Sequence, residues 1–215
     1  MSDYDEKIIS ITVDGDEIEG SLVVPNRPKS MVIFAHGSGS SRHSPRNKSV
    51  AIYLQSKGLA TLLIDLLSLE EEKVDIITTE FRFNIDLLTK RLIHAKDWVK
   101  ANDEYRDLNI GYFGASTGAA AALKADAKEG GVYAIVSRGG RPDLAGTDLQ
   151  EVNAPTLMIV GGADDLVKRL NDEALKKIRS SKKLSIVPGA THLFEEAGAL
   201  EEVSRLAANW FLEHL

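Results

Sequence analysis

The chain has 215 residues, a formal net charge of −6 from 26 basic and 32 acidic residues, and 43% hydrophobic residues, values that fit one domain large enough to bury a core unaided. It contains no cysteine, which excludes disulfides, thiolate metal sites and a cysteine nucleophile, and its acidic balance argues against nucleic acid as a partner. Without a run of about 18 apolar residues or a basic-then-apolar leader, the sequence predicts neither a membrane span nor a signal peptide, and so a cytoplasmic location.

From the N-terminal side, "KIISITVDGDEIEGSLVVP" reads as two strands. The alternation from Ile8 to Val13 and the Asp14-Gly15-Asp16 turn predict a hairpin. "SMVIFAHGSGS" follows, a short continuous apolar run ending in glycines, as expected of a buried parallel strand. A helix is expected over Asn47 to Lys57, with Val50, Tyr53 and Leu54 on one face and Gly58 as its stop. "LATLLIDLL" is another buried strand, and "FNIDLLTKRLIHAKDWVKAN" is a helix burying Ile85, Leu88, Leu92 and Val99. "LNIGYF", "VYAIVS", "TLMIV" and "KLSIVP" are further strands, and "ALEEVSRLAANWFLEHL" closes the chain as a helix carrying Leu200, Val203, Leu206 and Trp210 in register. No repeat or linker divides the sequence. The pattern predicts a single α/β domain over residues 1–215, with a mostly parallel eight-stranded sheet between helices and no large cap. Ligands bind such sheets beyond the carboxyl ends of the strands.

Those strand ends carry the chemistry. Gly114-Ala115-Ser116-Thr117-Gly118 is a G-x-S-x-G turn between a strand and a helix, the arrangement that lifts a serine hydroxyl above a sheet. The expected base is His192 in "VPGATHLFEE", directly after the last strand. His94 lies mid-helix, His214 is next to the last residue, His43 is in a loop, and His36 precedes a glycine loop. Asp164 in "GGADDLV" is the expected orienter, with Asp165 expected to cap the following helix. The order Ser116, then Asp164, then His192 is similar to that of the α/β-hydrolases. The oxyanion donors are assigned to Thr117 N–H and Ser38 N–H, with Gly39 as the alternative to Ser38. "GSGSSR" has Arg42 where a dinucleotide loop needs its third glycine, and no histidine–carboxylate cluster has metal-ligand spacing. No cofactor and no metal are expected.

Over essentially its whole length the chain resembles the small α/β-hydrolases of the dienelactone hydrolase type, through "FAHGSGSSRHSPRN", "LATLLIDLL", "GYFGASTGAAAAL", "SRGGRPDLAG", "APTLMIVGG" and "PGATHLFEE". The likeness is greatest to a bacterial branch in which some members are fused to a phosphoribosyltransferase domain, and no such domain is expected in these residues. The resemblance implies the same triad. Dienelactone hydrolase proper uses a cysteine nucleophile, so the likeness implies fold and reaction type, and serine suits ordinary esters.

The resulting expectation is a serine hydrolase acting on small esters through an acyl-enzyme, as a monomer or homodimer. Acyl transfer, thioester cleavage by the same residues, and a noncatalytic binding protein on this fold are the alternatives. Arg42, Arg46, Arg138 and Arg141 all fall on catalytic-edge loops, where guanidinium groups clamp carboxylate or phosphate, and one or two of them are expected to select an acyl substrate carrying an anionic group. Their other role would be pairing with Glu70, Glu71, Glu72 or Asp143. The segment "LLSLEEEKVDIITTEFRFN" is expected either as a pocket wall or as a solvated face.

Overall fold

The computed structural model describes residues 4–215. β1 (Glu6–Val13) and β2 (Asp16–Val23) form the expected hairpin, with Val13 paired to Asp16. Its two turn residues, Asp14 and Gly15, lie at φ +54° and +95°, the positive pair that matches the turn to the strands' twist. Ile11, Val13, Ile18 and Leu22 point into the core.

The next strands are β3 (Ser30–Ala35), β4 (Ala60–Ile64), β5 (Asn109–Ala115), β6 (Ala134–Arg138), β7 (Thr156–Gly161) and β8 (Lys182–Val187). They complete one eight-stranded sheet in the order β1-β2-β4-β3-β5-β6-β7-β8. The sheet is mixed: β2 pairs antiparallel with both β1 and β4, and the other neighbours are parallel. β3, β4, β6 and β7 are buried along their whole length, as expected of strands covered on both faces.

Helices α1 (Pro45–Ser56) and α6 (Ala199–Glu213) cover one face, where Val50, Leu54, Val203 and Phe211 pack against Phe34 and Phe113. α3 (Ile85–Ala101) and α4 (Thr117–Glu129) cover the other, burying Leu88, Leu92, Ala121 and Leu123 against Ile33 and Tyr112. α5 (Asp165–Lys177) and a 3-10 segment, Pro142–Glu151, complete this side. α1 starts before the expected Asn47, because Ser44 caps it by accepting Asn47 N–H and Pro45 occupies the first turn, where its missing donor is not needed. Among the described residues there is no large cap.

The charged segment after β4 also folds. α2 (Leu69–Thr78) begins with a reciprocal cap, Ser68 Oγ accepting Glu71 N–H while the Glu71 carboxylate accepts Ser68 N–H, an arrangement that satisfies two free helix donors. Asp75 fixes the other end, accepting from Phe81 N–H, Arg82 N–H and Arg82 Nε at 2.8, 2.9 and 2.6 Å.

The chain passes from β3 to β4 on one side and then crosses back to β5 on the other side of β3, so the order of the strands reverses there. A crevice opens at such a reversal, beyond the carboxyl ends. There α4 packs against the end of β3 so closely that a Cβ on Gly118 would lie 2.3 Å from Ala35 O and 2.4 Å from His36 O. Gly118→Ala is therefore expected to cost at least about 1–3 kcal/mol. Urea unfolding of the variant measures it, and an unchanged midpoint would contradict this packing.

Candidate active site

Ser116 sits where β5 turns into α4, at φ +50° and ψ −117°, a conformation that a residue with a side chain adopts only under strain. The turn is held from both sides. Ser116 N–H donates to Arg138 O at 3.2 Å, while Ser116 O accepts from Arg141 N–H and Ala119 N–H, both at 3.1 Å. Gly114 allows the chain to double back, since a Cβ there would stand 2.4 Å from Ala119 Cα. Ser116 is only partly buried, and the free N–H groups of the first turn of α4 converge beside it.

Asp164 and His192 come from different strand ends and meet. After β7, Asp164 N–H bonds Gly161 O at 3.1 Å, and Ala163 N–H bonds Ala190 O at 2.9 Å, tying the two loops together. The Asp164 carboxylate divides its oxygens: Oδ1 accepts Val167 N–H at 3.3 Å and Oδ2 lies 2.7 Å from His192 Nδ1. A carboxylate there places the imidazole proton on Nδ1, leaving Nε2 as the acceptor. Asp164 itself, and not the expected Asp165, is thus the cap of α5. Asp165 turns outward to Lys168 at 2.9 Å. Its neighbour can serve both roles because a carboxylate has two oxygens.

The loop after β3 faces Ser116. His36 is buried beneath it, donating from Nδ1 to Gly37 O at 2.9 Å and accepting Leu66 N–H at Nε2 at 3.1 Å. Both ring nitrogens are therefore committed, and the ring is neutral. Burial pushes its pKa down, opposed by the Gly37 carbonyl and by Asp65 and Glu72. Among the described residues neither Ser38 N–H nor Thr117 N–H is taken by another backbone group.

The four arginines separate. Arg42 is held by Asp65, which accepts its backbone N–H at 2.8 Å and its Nη1 at 2.5 Å, and by Glu19. Arg141 forms a two-point pair with Asp143 at 2.8 and 2.7 Å. The structure thus turns these two from the expected substrate role to ion pairs, Asp143 being one of the partners foreseen. Arg46 and Arg138 instead line, with Ser116, Ser38 and His192, a cavity of about 200 Å³. Arg46 Nη1 reaches Glu195 at 3.3 Å. Arg138 is 7% exposed and donates from Nη2 to Asn47 Oδ1 at 3.2 Å, while its Nε has no partner. Burial, followed by the charge of Arg46, brings its pKa down to about 10.

A second cavity of about 330 Å³ shares Ser38 with the first and is walled by Leu66, Leu67, Ile76 and Leu88, with Glu72 beside them. Of the two expectations for the charged segment, a pocket wall or a solvated face, Glu72, Asp75 and Ile76 of α2 take the first by lining this cavity. No cluster of three potential metal ligands occurs among the described residues.

A model of the dienelactone hydrolase family matches residues 18–212. Among solved structures, a dienelactone hydrolase from Anabaena variabilis is 53% identical, with a TM-score of 0.97 over 99% of both chains. Est1E from Butyrivibrio proteoclasticus, at 19% identity, shares the fold with a TM-score of 0.80 over 96% of this chain and 98% of its own. A Mycobacterium tuberculosis protein, provisionally named a phosphoribosyl transferase, is 53% identical over 92% of this chain, which spans only 44% of that relative.

The geometry of His36 sets a pH dependence. The unfolded chain binds a proton at this side chain near about pH 6.5, and the folded chain resists it to lower pH. Stability is therefore fully present above that value and is lost as pH falls from it toward the depressed folded pKa. Urea midpoints are expected to drop between pH 7.5 and 5.5, and to drop less in His36→Gln. An equal drop in both proteins would remove His36 as the cause.

Proposed function

Because the chain belongs to the dienelactone hydrolase family, we propose that it is a serine hydrolase cleaving small carboxylic esters through an acyl-enzyme on Ser116. The observation carrying this reading is the 2.7 Å contact between Asp164 and His192 Nδ1, with His192 and Ser116 lining one cavity. The identity of 53% to a dienelactone hydrolase supports hydrolysis as the reaction class. The transferase name belongs to proteins of which this chain spans less than half, and the reading rests on the site instead.

In the proposed reaction, His192 Nε2 takes the Ser116 proton as Oγ attacks the carbonyl carbon, and Asp164 stabilises the imidazolium without being protonated. The oxyanion is received by Ser38 N–H and Thr117 N–H, each such donor contributing about 2.7–4 kcal/mol to the transition state. The positive end of α4 adds to this field. The acyl C–O bond then breaks, and the leaving oxygen takes the proton from His192. Water, activated by the same imidazole, hydrolyses the acyl-enzyme and restores Ser116. Side chains and backbone supply every group, so the reaction needs no cofactor.

A fluorophosphonate probe is expected to label the wild-type protein and not Ser116→Ala. A wild-type protein that takes no label would end the reading. The double duty of Asp164 gives a sharper test. Asn caps helices as well as Asp, so Asp164→Asn is expected to keep its thermal midpoint while ester turnover falls by about 10⁴-fold. Asp164→Ala should lose activity and also about 1 kcal/mol of stability.

A further inference from the structure

A further cavity, of about 250 Å³, lies between α1 and the β1–β2 hairpin. Lys48, Ala51, Ile52 and Gln55 line it from α1, at the spacing that puts them on one stripe of the helix. The sheet forms its floor. Ser21 and Val23 lie on one face of β2, and Ser21 is paired with Leu63 of β4, which lines the same cavity. Glu6 of β1 borders it as well, opposite Val23. The catalytic cavity takes Ser44 and Arg46 from the start of the same helix, and no residue lines both.

Two buried polar atoms in this wall are left over by the fold. Gln55 is 4% exposed. Its Nε2 donates to Thr61 Oγ1 at 2.7 Å, which pins the amide to the sheet, and its Oε1 has no partner. Ser21 is 3% exposed, and its Oγ has no partner either. Burying a polar atom without a hydrogen bond is costly. Apolar residues at both positions would avoid that cost and still pack against Val23 and Leu63, so the two atoms form the polar end of an otherwise apolar space. Val23, Leu63, Ala51 and Ile52 supply the rest of its inner surface. Glu6 and Lys48 bring one charge of each sign, so a ligand with net charge gains from one and is repelled by the other.

We propose that this cavity is a second, noncatalytic binding site for a small uncharged alcohol or phenol. The ligand's hydroxyl donates to Gln55 Oε1 and accepts from the Ser21 hydroxyl, while its apolar body lies against Val23, Leu63, Ala51 and Ile52. A hydroxyl suits both atoms because it carries one donor and two lone pairs. The size agrees, since an apolar cavity of about 150 Å³ already takes a benzene ring, and this one admits a ring with a short substituent. No bond is made or broken, and occupancy of the site is independent of the role of Ser116.

Benzyl alcohol serves as the probe, with toluene, benzoate and benzylamine as controls on the same ring. In amide NMR spectra of the wild-type protein, benzyl alcohol is expected to shift the signals of Ser21, Val23, Ala51 and Leu63 together, with one saturating dependence on concentration. Toluene lacks the hydroxyl and should bind about fivefold more weakly, the scale of one neutral hydrogen bond. Benzoate and benzylamine should both bind more weakly than the alcohol. The amides of Ser38, Ser116 and His192 report the catalytic cavity separately.

In Ser21→Ala the preference for benzyl alcohol over toluene should fall toward one while the thermal midpoint does not drop, since a buried hydroxyl without a partner has been removed. Gln55→Leu should lower the same preference. Ile52→Trp, at the exposed mouth, should abolish the response to both ligands, and it keeps the test open if Gln55→Leu fails to fold. Equal binding of toluene and benzyl alcohol by the wild-type protein would overturn the proposal and make the cavity an apolar void. Tighter binding of either charged probe would overturn it too, as would an unchanged preference in Ser21→Ala. Shifts confined to the catalytic loops, or none up to the solubility of benzyl alcohol, would remove the site altogether.

Discussion

The site depends on one backbone conformation, that of Ser116. A residue with a Cβ held in such a region costs of the order of 1–3 kcal/mol, and the surrounding chain overdetermines it. Gly118 lets the first turn of α4 lie against the terminal carbonyls of β3, and Gly114 lets the chain reverse. Hydrogen bonds from both sides then fix the peptide groups of Ser116 to Arg138 and Arg141. The second of these constraints reaches beyond the nucleophile. The segment Arg138–Arg141 is bonded to the serine's own backbone, which ties the end of β6 to the nucleophile turn.

A similar economy appears at Asp164. One oxygen closes the first turn of α5 and the other meets the imidazole. The carboxylate is thereby fixed by a helix that is itself packed on the sheet, through Ala174 and neighbouring residues. An orienting group held in this way loses little freedom when it binds the imidazole, which is the condition for a preorganised proton relay. His36 does the corresponding work beneath the oxyanion loop. It links Gly37, beyond β3, to Leu66, beyond β4, so the peptide at Ser38 is supported from the adjacent strand.

Much of this was legible in the sequence because it is local. The hairpin follows from an Asp-Gly pair between alternating residues, the central strands from short apolar runs, and the turn at Ser116 from glycines at fixed spacing. The site residues Ser116, Asp164 and His192 could be selected because each follows a strand, and strand ends gather at one edge. Charge pairing was not legible in the same way. Four arginines at one edge look equivalent in sequence, yet Arg42 finds Asp65 and Glu19 while Arg138 finds no carboxylate. Which partner a long side chain meets is a tertiary fact. The segment from Leu69 to Thr78 could be read as a pocket wall or a solvated face, and its acidic run gave no sign of the helix whose Ile76 walls the second cavity.

Arg91 provides the comparison that gives Arg138 its meaning. Both are buried, Arg91 at 1% and Arg138 at 7% exposure. Around Arg91 the protein gathers Glu71, Asp16 and the Val13 carbonyl, the usual provision for a cation withdrawn from water. The fold is therefore able to neutralise a buried guanidinium. At Arg138 it supplies an amide oxygen and a second arginine instead. Packing alone gives no reason for this difference, because an apolar side chain of similar length would fill the space without the electrostatic cost.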